Sequence, residues 1–184
     1  MSKVRQAKRW TLPRIAGHVL TAAAVVVTVD QLPALASHGQ LPKADNSDHS
    51  LQKHSLTANG STAFEHGVSE LNKYLNAYEV TSGNADVEVY DDSYGDTGWY
   101  GTTSCKNYVA SSGGTRCDDF TVKFNTGSMA NDEGKWKSLG CHEFGHTVGL
   151  GHRSSSNDTD DNSCMRVEIW PTLFDSHDDN QISS

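Results

Sequence analysis

Apolar residues return at Phe64, Val68, Leu71 and Leu75, the three-and-four spacing that lines one face of a helix, with Ser61-Thr62 as an N-cap and Gly83 beyond the end. This spacing predicts an amphipathic helix over 62–78. Past Gly83 the period changes to two. Val87 and Val89 alternate with acids in ADVEVYDD, Trp99 and Tyr100 open GWYGTTSC, and Phe120, Val122 and Phe124 alternate in FTVKFN, with Gly- and Asp-rich turns between. Three short strands are predicted there. Helical spacing resumes at Trp136, Leu139, Cys141, Phe144 and Val148, after Asn131-Asp132-Glu133 and up to Gly149. Ser176 and Asp178 to Ile182 suit a short closing helix, and the polar tract SSSNDTDDNS at 154–163 reads as a loop.

Ahead of the first helix, residues 37–60 carry His38, His49 and His54 but few large apolar side chains, so they read as a mobile lead-in, a short pro-segment or at most one strand. Further back, five basic residues within the first 14 precede an apolar run from Ile15 to Val29 and then Ala34-Leu35-Ala36, the arrangement of a secretory signal cut after Ala36. That run is broken by His18 and ended by Asp30, too short for a bilayer core that takes about 20 apolar residues. The expected organisation is a signal peptide at 1–36, the lead-in at 37–60 and one catalytic domain at 61–184, secreted and extracellular.

Removing the signal takes five of 15 basic residues and one of 23 acidic ones, leaving 10 against 22 and a net charge near −12. Such an acidic balance argues against nucleic acid and anionic membrane as partners, since both need a basic face. The 148 residues that remain suit a single domain, expected as a monomer. All four cysteines lie after the signal, so two disulfides are the default in an oxidising compartment. Of the three possible pairings, the nearest-neighbour one, Cys105–Cys117 and Cys141–Cys164, is expected because it closes two modest loops.

The predicted helix that ends at Gly149 carries CHEFGHTVGLGH, residues 141 to 152. Positions four apart share a helix face, so His142 and His146 can aim two imidazoles at one point. Gly149 permits a turn that brings His152 round to the same point. Three neutral imidazoles with an open fourth position are the donor set of a catalytic zinc. Glu143 stands beside the first ligand, where a carboxylate can accept a proton from water without ligating the metal. A purely structural zinc leaves that glutamate unexplained. The acid groups Asp91-Asp92-Asp96 and Asp158-Asp160-Asp161 make Ca2+ a second candidate cofactor, although solvated acidic turns account for them more simply. His38, His49, His54, His66 and His177 read as solvated side chains.

His142-Glu143-x-x-His146-x-x-Gly149-x-x-His152, followed by Met165 in SCMR, resembles the metzincin clan of zinc endopeptidases, and within it the small secreted bacterial matrixin-like (snapalysin-like) proteases. The resemblance implies His142, His146 and His152 as Zn2+ ligands, Glu143 as general base, and Met165 as the methionine of the turn beneath the metal. It also implies an α+β fold: a twisted mixed sheet packed on two long helices, one of them the zinc-binding helix, with a small C-terminal subdomain after the glycine turn. In such a fold GWYGTTSC is the edge strand to which a protein or peptide substrate adds, making Trp99, Tyr100 and Gly101 substrate-binding, and Trp170 and Pro171 candidates for the wall of the specificity pocket. Two departures stand out. No cysteine precedes Cys105, so a propeptide cysteine switch is absent, and no tyrosine follows Met165.

The leading expectation is therefore a secreted zinc endopeptidase. A non-catalytic metal-dependent binding module and a zinc hydrolase of non-peptide amides are the alternatives, and only the first of these conflicts with an intact Glu143.

Overall fold

Five strands form one sheet in the order β2-β1-β3-β5-β4. The computed structural model describes residues 42–153, 162–166 and 170–183; the signal-peptide expectation, His38, the acids Asp158 to Asp161 and most of the 154–163 loop lie outside them. In chain order the elements are β1 (Asp48–His54), α1 (Ala58–Leu71), β2 (Asn76–Glu79), β3 (Val87–Asp92), β4 (Gly101–Ser111), β5 (Gly114–Asn125), α2 (Glu133–Thr147) and α3 (Ser176–Ile182). The first four strands of the sheet are mutually parallel. β4 alone runs antiparallel, because a two-residue connection folds it directly onto β5, and it forms an edge. The fold is thus a mixed α/β arrangement with a mostly parallel sheet and three helices among the described residues. No helix among them is long and apolar enough to cross a membrane.

α1 and α2 pack together at glycines. A Cβ on Gly140 would meet the Ala63 carbonyl oxygen at 1.9 Å, and one on Gly67 would meet Phe144 at 2.4 Å. Only hydrogen at these positions lets the two backbones approach so closely. Phe64 and Leu71 from α1, Trp136, Leu139 and Phe144 from α2, and Leu51, Val87, Val89, Phe120, Val122 and Phe124 from the sheet fill the core between them. Phe64 and Phe144 meet edge to face at 5.9 Å, so the aromatic rings lock α2 in rotation as well as position.

The first helix starts and stops earlier than the apolar spacing predicts. Thr57, not Ser61 or Thr62, is the N-cap: its hydroxyl accepts from the Gly60 amide, and the Asp91 carboxylate holds Thr57 through its amide and hydroxyl. Leu75, the last residue of the spacing, lies past the helix end in the turn before β2, partly buried against the core.

A strand inside the polar lead-in is the larger difference. β1 sits between β2 and β3 with His49, Ser50 and Leu51 buried, yet only Leu51 is apolar. Polar burial is balanced by partners: the Ser50 amide and hydroxyl both donate to Asp86 Oδ2 at 2.7 and 2.8 Å. His49, expected as a solvated side chain, is 1 % exposed. The Thr147 hydroxyl donates to the Phe144 carbonyl at 2.7 Å, so it accepts from His49 Nε2 at 2.9 Å.

Burial lowers the His49 pKa to about 4, against the opposing pull of the Asp86 charge. The unfolded chain therefore takes up this proton as pH falls through about 6.5, while the folded chain refuses it until about pH 4. The stabilising effect of the neutral ring is complete above pH 6.5 and is lost as the medium is acidified. Between pH 7 and pH 5, metal-free wild-type protein should lose about 2 kcal/mol more stability than a His49→Gln variant, which has nothing to titrate there. Urea unfolding at the two pH values measures this, and equal losses would remove His49 as the acid-sensitive group.

Candidate metal centre

α2 begins at the Asp132 N-cap, whose side chain accepts from the Lys135 amide, and it delivers His142 and His146 one turn apart. At its C-terminus the chain reverses through a Schellman motif. Gly149 adopts φ +85°, its amide donates to the His146 carbonyl at 3.1 Å, and the Leu150 amide reaches back to the Gly145 carbonyl at 3.1 Å. This left-handed residue lets a helix that has ended return His152 to the face it left.

The three rings converge. His146 Nε2 lies 3.2 Å from His142 Nε2 and 3.2 Å from His152 Nε2, with ring centroids 4.8–4.9 Å apart. His142 Nδ1 lies 2.8 Å from the Cys164 carbonyl, and His146 Nδ1 lies 2.8 Å from the Leu150 carbonyl. A carbonyl only accepts, so each of these Nδ1 atoms carries the proton and each Nε2 presents a bare lone pair. Lone pairs facing each other at this distance repel unless a cation lies between them. A tetrahedral ion with metal–nitrogen bonds of roughly 2.0–2.1 Å sets neighbouring nitrogens about 3.3 Å apart, close to the observed spacing. Burial keeps the donors neutral: it lowers the His142 pKa to about 4 and pushes those of His146 and His152 down as well. The three side chains can hold a metal ion, and they are the grouping of three or more His, Cys, Asp or Glu donors that converges among the described residues. Asp91 and Asp92 accept local hydrogen bonds, Asp91 from Thr57 and Asp92 from the Ser93 amide.

Below α2, Met165 is fully buried, and a Cβ on Gly145 would meet its sulfur at 2.4 Å. The disulfide Cys141–Cys164, with Cα atoms 6.0 Å apart, ties this segment to the helix, and the Cys164 carbonyl is also the partner of His142. One covalent link thus sets both the depth of Met165 and the orientation of the first histidine. The other disulfide joins Cys105 to Cys117. Arg153, next to His152, donates its amide to the Met165 carbonyl at 3.1 Å and pairs its guanidinium with Asp175. The segment after the glycine turn is therefore anchored to α3's capping residue.

Glu143 is 3 % exposed and lies against the edge strand. A Cβ on Gly101 would meet its Oε1 at 2.5 Å, and the Thr103 hydroxyl stands 2.7 Å from its Oε2 and 2.8 Å from its carbonyl oxygen. Burial raises the Glu143 pKa to about 8, opposed by the Thr103 hydrogen bond. A cation at the neighbouring histidines acts in the same direction as Thr103, toward the carboxylate.

Of the residues predicted to bind substrate, Gly101 touches Glu143, and Tyr100 meets Trp170 edge to face at 5.2 Å with the Lys135 ammonium 5.3 Å above the Trp170 ring. Trp99 turns away to Tyr94 at 5.3 Å, and Pro171 is half-buried beside Trp170. Thr103 is the site residue that the sequence reading missed. Alternation in GWYGTTSC puts Gly101, Thr103 and Cys105 on one face of a strand, but not which face meets the helix.

In fold the chain is similar to two solved structures of myroilysin. One aligns at 13% identity and a TM-score of 0.49 over 77% of this chain and 80% of that one; the other at 14% and 0.49 over 79% and 85%. No protein-family model matches the sequence, and no curated protein does.

Proposed function

We propose that the protein is a secreted zinc-dependent endopeptidase of metzincin type, with His142, His146 and His152 as metal ligands and Glu143 as general base. The observation that carries the reading is the position of Glu143: one residue from a ligand, buried, and pressed against the first residues of β4, an edge of the sheet among the described residues. Neither a structural metal site nor a binding module needs a carboxylate held there.

Three neutral imidazoles suit zinc, which when bound supplies a Lewis acid and makes water acidic enough to react near neutral pH. The rest of the chemistry falls to the chain. A peptide that adds to β4 uses the free amide and carbonyl groups of that edge and so lies extended past Gly101 and Thr103. Glu143 Oε1, next to Gly101, takes the proton from the attacking water and returns it to the leaving amine. Thr103 donates to Oε2, which fixes the carboxylate plane and leaves Oε1 to do this. Met165 and the Cys141–Cys164 bond keep the floor of the site from shifting when the peptide docks.

Cleavage of a peptide library with and without a chelator tests the reading. Chelator-sensitive, zinc-restored hydrolysis of internal peptide bonds supports it, and turnover of non-peptide amides alone would favour the other zinc hydrolase. Thr103→Val, which keeps the shape and deletes the hydroxyl, should lower kcat about 10- to 100-fold with zinc content unchanged, the size expected for one hydrogen bond to a charged group.

A further inference from the structure

The edge strand β4 is regular from Gly101 to Cys105 and then irregular. Cys105 pairs with Phe120 and Tyr108 with Cys117, while Lys106 and Asp118 fall between register pairs. Residues three apart on a regular strand point to opposite faces. The irregularity cancels that reversal, putting Cys105 and Tyr108 of β4 on the same face as Cys117 and Phe120 of β5, so that Cys105 bonds Cys117 although its register partner is Phe120. At this point the edge opens over a cavity of about 260 Å³ lined by Pro42, Thr103, Ser104, Cys105, Tyr108, Phe120 and His146.

The remaining wall comes from the lead-in. The Cys117 amide donates to the Lys43 carbonyl at 2.9 Å, the Asp45 amide to the Cys117 carbonyl at 3.0 Å, and the Ala44 amide to the Thr147 carbonyl at 2.9 Å. Three backbone bonds on both sides of Ala44 pin Pro42 at the cavity. This part of the chain, read from sequence as a mobile lead-in or a pro-segment, is thus built into the domain beside a metal-binding histidine.

We infer that this cavity is a substrate subsite that takes one apolar or aromatic side chain of a peptide lying along β4, within two residues of the bond that is cut. The inference rests on the peptidase reading above. Its size decides the class of occupant: pockets that enclose whole drug-sized ligands span roughly 300–1,000 Å³, so this one suits a single side chain. Its lining decides the chemistry. Phe120, Cys105, Pro42 and Tyr108 supply apolar surface, and among the described residues no carboxylate or ammonium group lines it. Its place follows from strand geometry, because Cys105 is two residues, about 7 Å, from Thr103 and hence from Glu143. The irregularity also marks where regular pairing with an added strand ends, so the peptide's side chain turns into the cavity as its backbone leaves the edge.

Two variants in the cavity wall test this without disturbing the metal ligands. Pro42→Trp fills the cavity, and Tyr108→Ala removes one wall. Wild-type protein, profiled on peptides that vary one position at a time, should prefer Phe or Leu over Asp by at least about 10-fold in kcat/KM at one position within two residues of the cut. Pro42→Trp should abolish that preference or turn it toward Gly and Ala, and Tyr108→Ala should weaken it, with zinc content unchanged in both. Active variants with the wild-type profile would overturn the subsite. A second arm does not depend on turnover: zinc-loaded Glu143→Gln protein, titrated calorimetrically with a peptide pair differing only in Phe or Asp, should bind the Phe peptide more tightly, and addition of Pro42→Trp should erase the difference. A persistent difference in the filled variant also overturns the subsite, whereas absence of cleavage by wild type with this binding pattern intact counts against the peptidase reading alone.

Discussion

Exchange of Glu143 for Gln should lower peptide turnover by about 10²–10⁴-fold, the share that a positioned general base contributes, while leaving bound zinc unchanged. The substitution is nearly isosteric, so the close approach of Gly101 and the packing of α2 against β4 survive it. The amide oxygen of Gln still accepts from Thr103, which loses only the charge on its partner. What disappears is the ability to take a proton from water and hand it on. Because Glu143 makes no contact through which it holds the metal, zinc content and kcat should separate cleanly. Zinc analysis of the purified variant alongside steady-state kinetics measures both. Wild-type turnover in a fully zinc-loaded Gln variant would remove Glu143 from the mechanism, and loss of zinc together with activity would assign it to the ligand set instead.

The contrast between His142 and His49 shows what the sequence could and could not reveal. His142, His146 and His152 are legible because their spacing is dictated by the helix period and by one glycine turn, both local rules that need no knowledge of what packs where. Gly149 adopts the left-handed conformation, and the Schellman hydrogen bonds supply the reversal that brings His152 back. His49 obeys no local rule. It is buried because β1 lies between β2 and β3 and because Thr147, 98 residues away, offers an acceptor. Long-range partners of this kind leave no periodicity, and a strand whose burial rests on them reads as polar lead-in. The same limit applies at β4. The alternation GWYGTTSC marks a strand, but its edge position, and the contact of Gly101 and Thr103 with Glu143, depend on strand order in a sheet assembled from distant segments. The irregularity at Lys106 and Asp118 is legible only with hindsight, as the device by which Cys105 and Cys117 come to bond although they are not paired across the ladder.

Replacing His152 with Ala should raise the zinc dissociation constant by about two to three orders of magnitude. Structural zinc sites with four protein ligands bind with about 10–16 kcal/mol, so one ligand accounts for about 2.5–4 kcal/mol. His142 and His146 sit on one rigid helix with their Nδ1 atoms fixed by the Cys164 and Leu150 carbonyls, and they remain in place when His152 is lost. Two imidazoles at neighbouring corners of a tetrahedron still hold an ion, but loosely, and water takes the vacated corner. The fold should survive, because His152 is only half-buried and its backbone neighbours are secured independently by the Arg153 amide bond to Met165 and by the Cys141–Cys164 disulfide. Competition against a chromophoric chelator measures the dissociation constant, and circular dichroism establishes that the variant is folded. A folded variant that binds zinc as tightly as wild type would strike His152 from the ligand set. The geometry of the glycine turn would then need another purpose, since nothing else about Gly149 requires the chain to bring a histidine within 3.2 Å of His146.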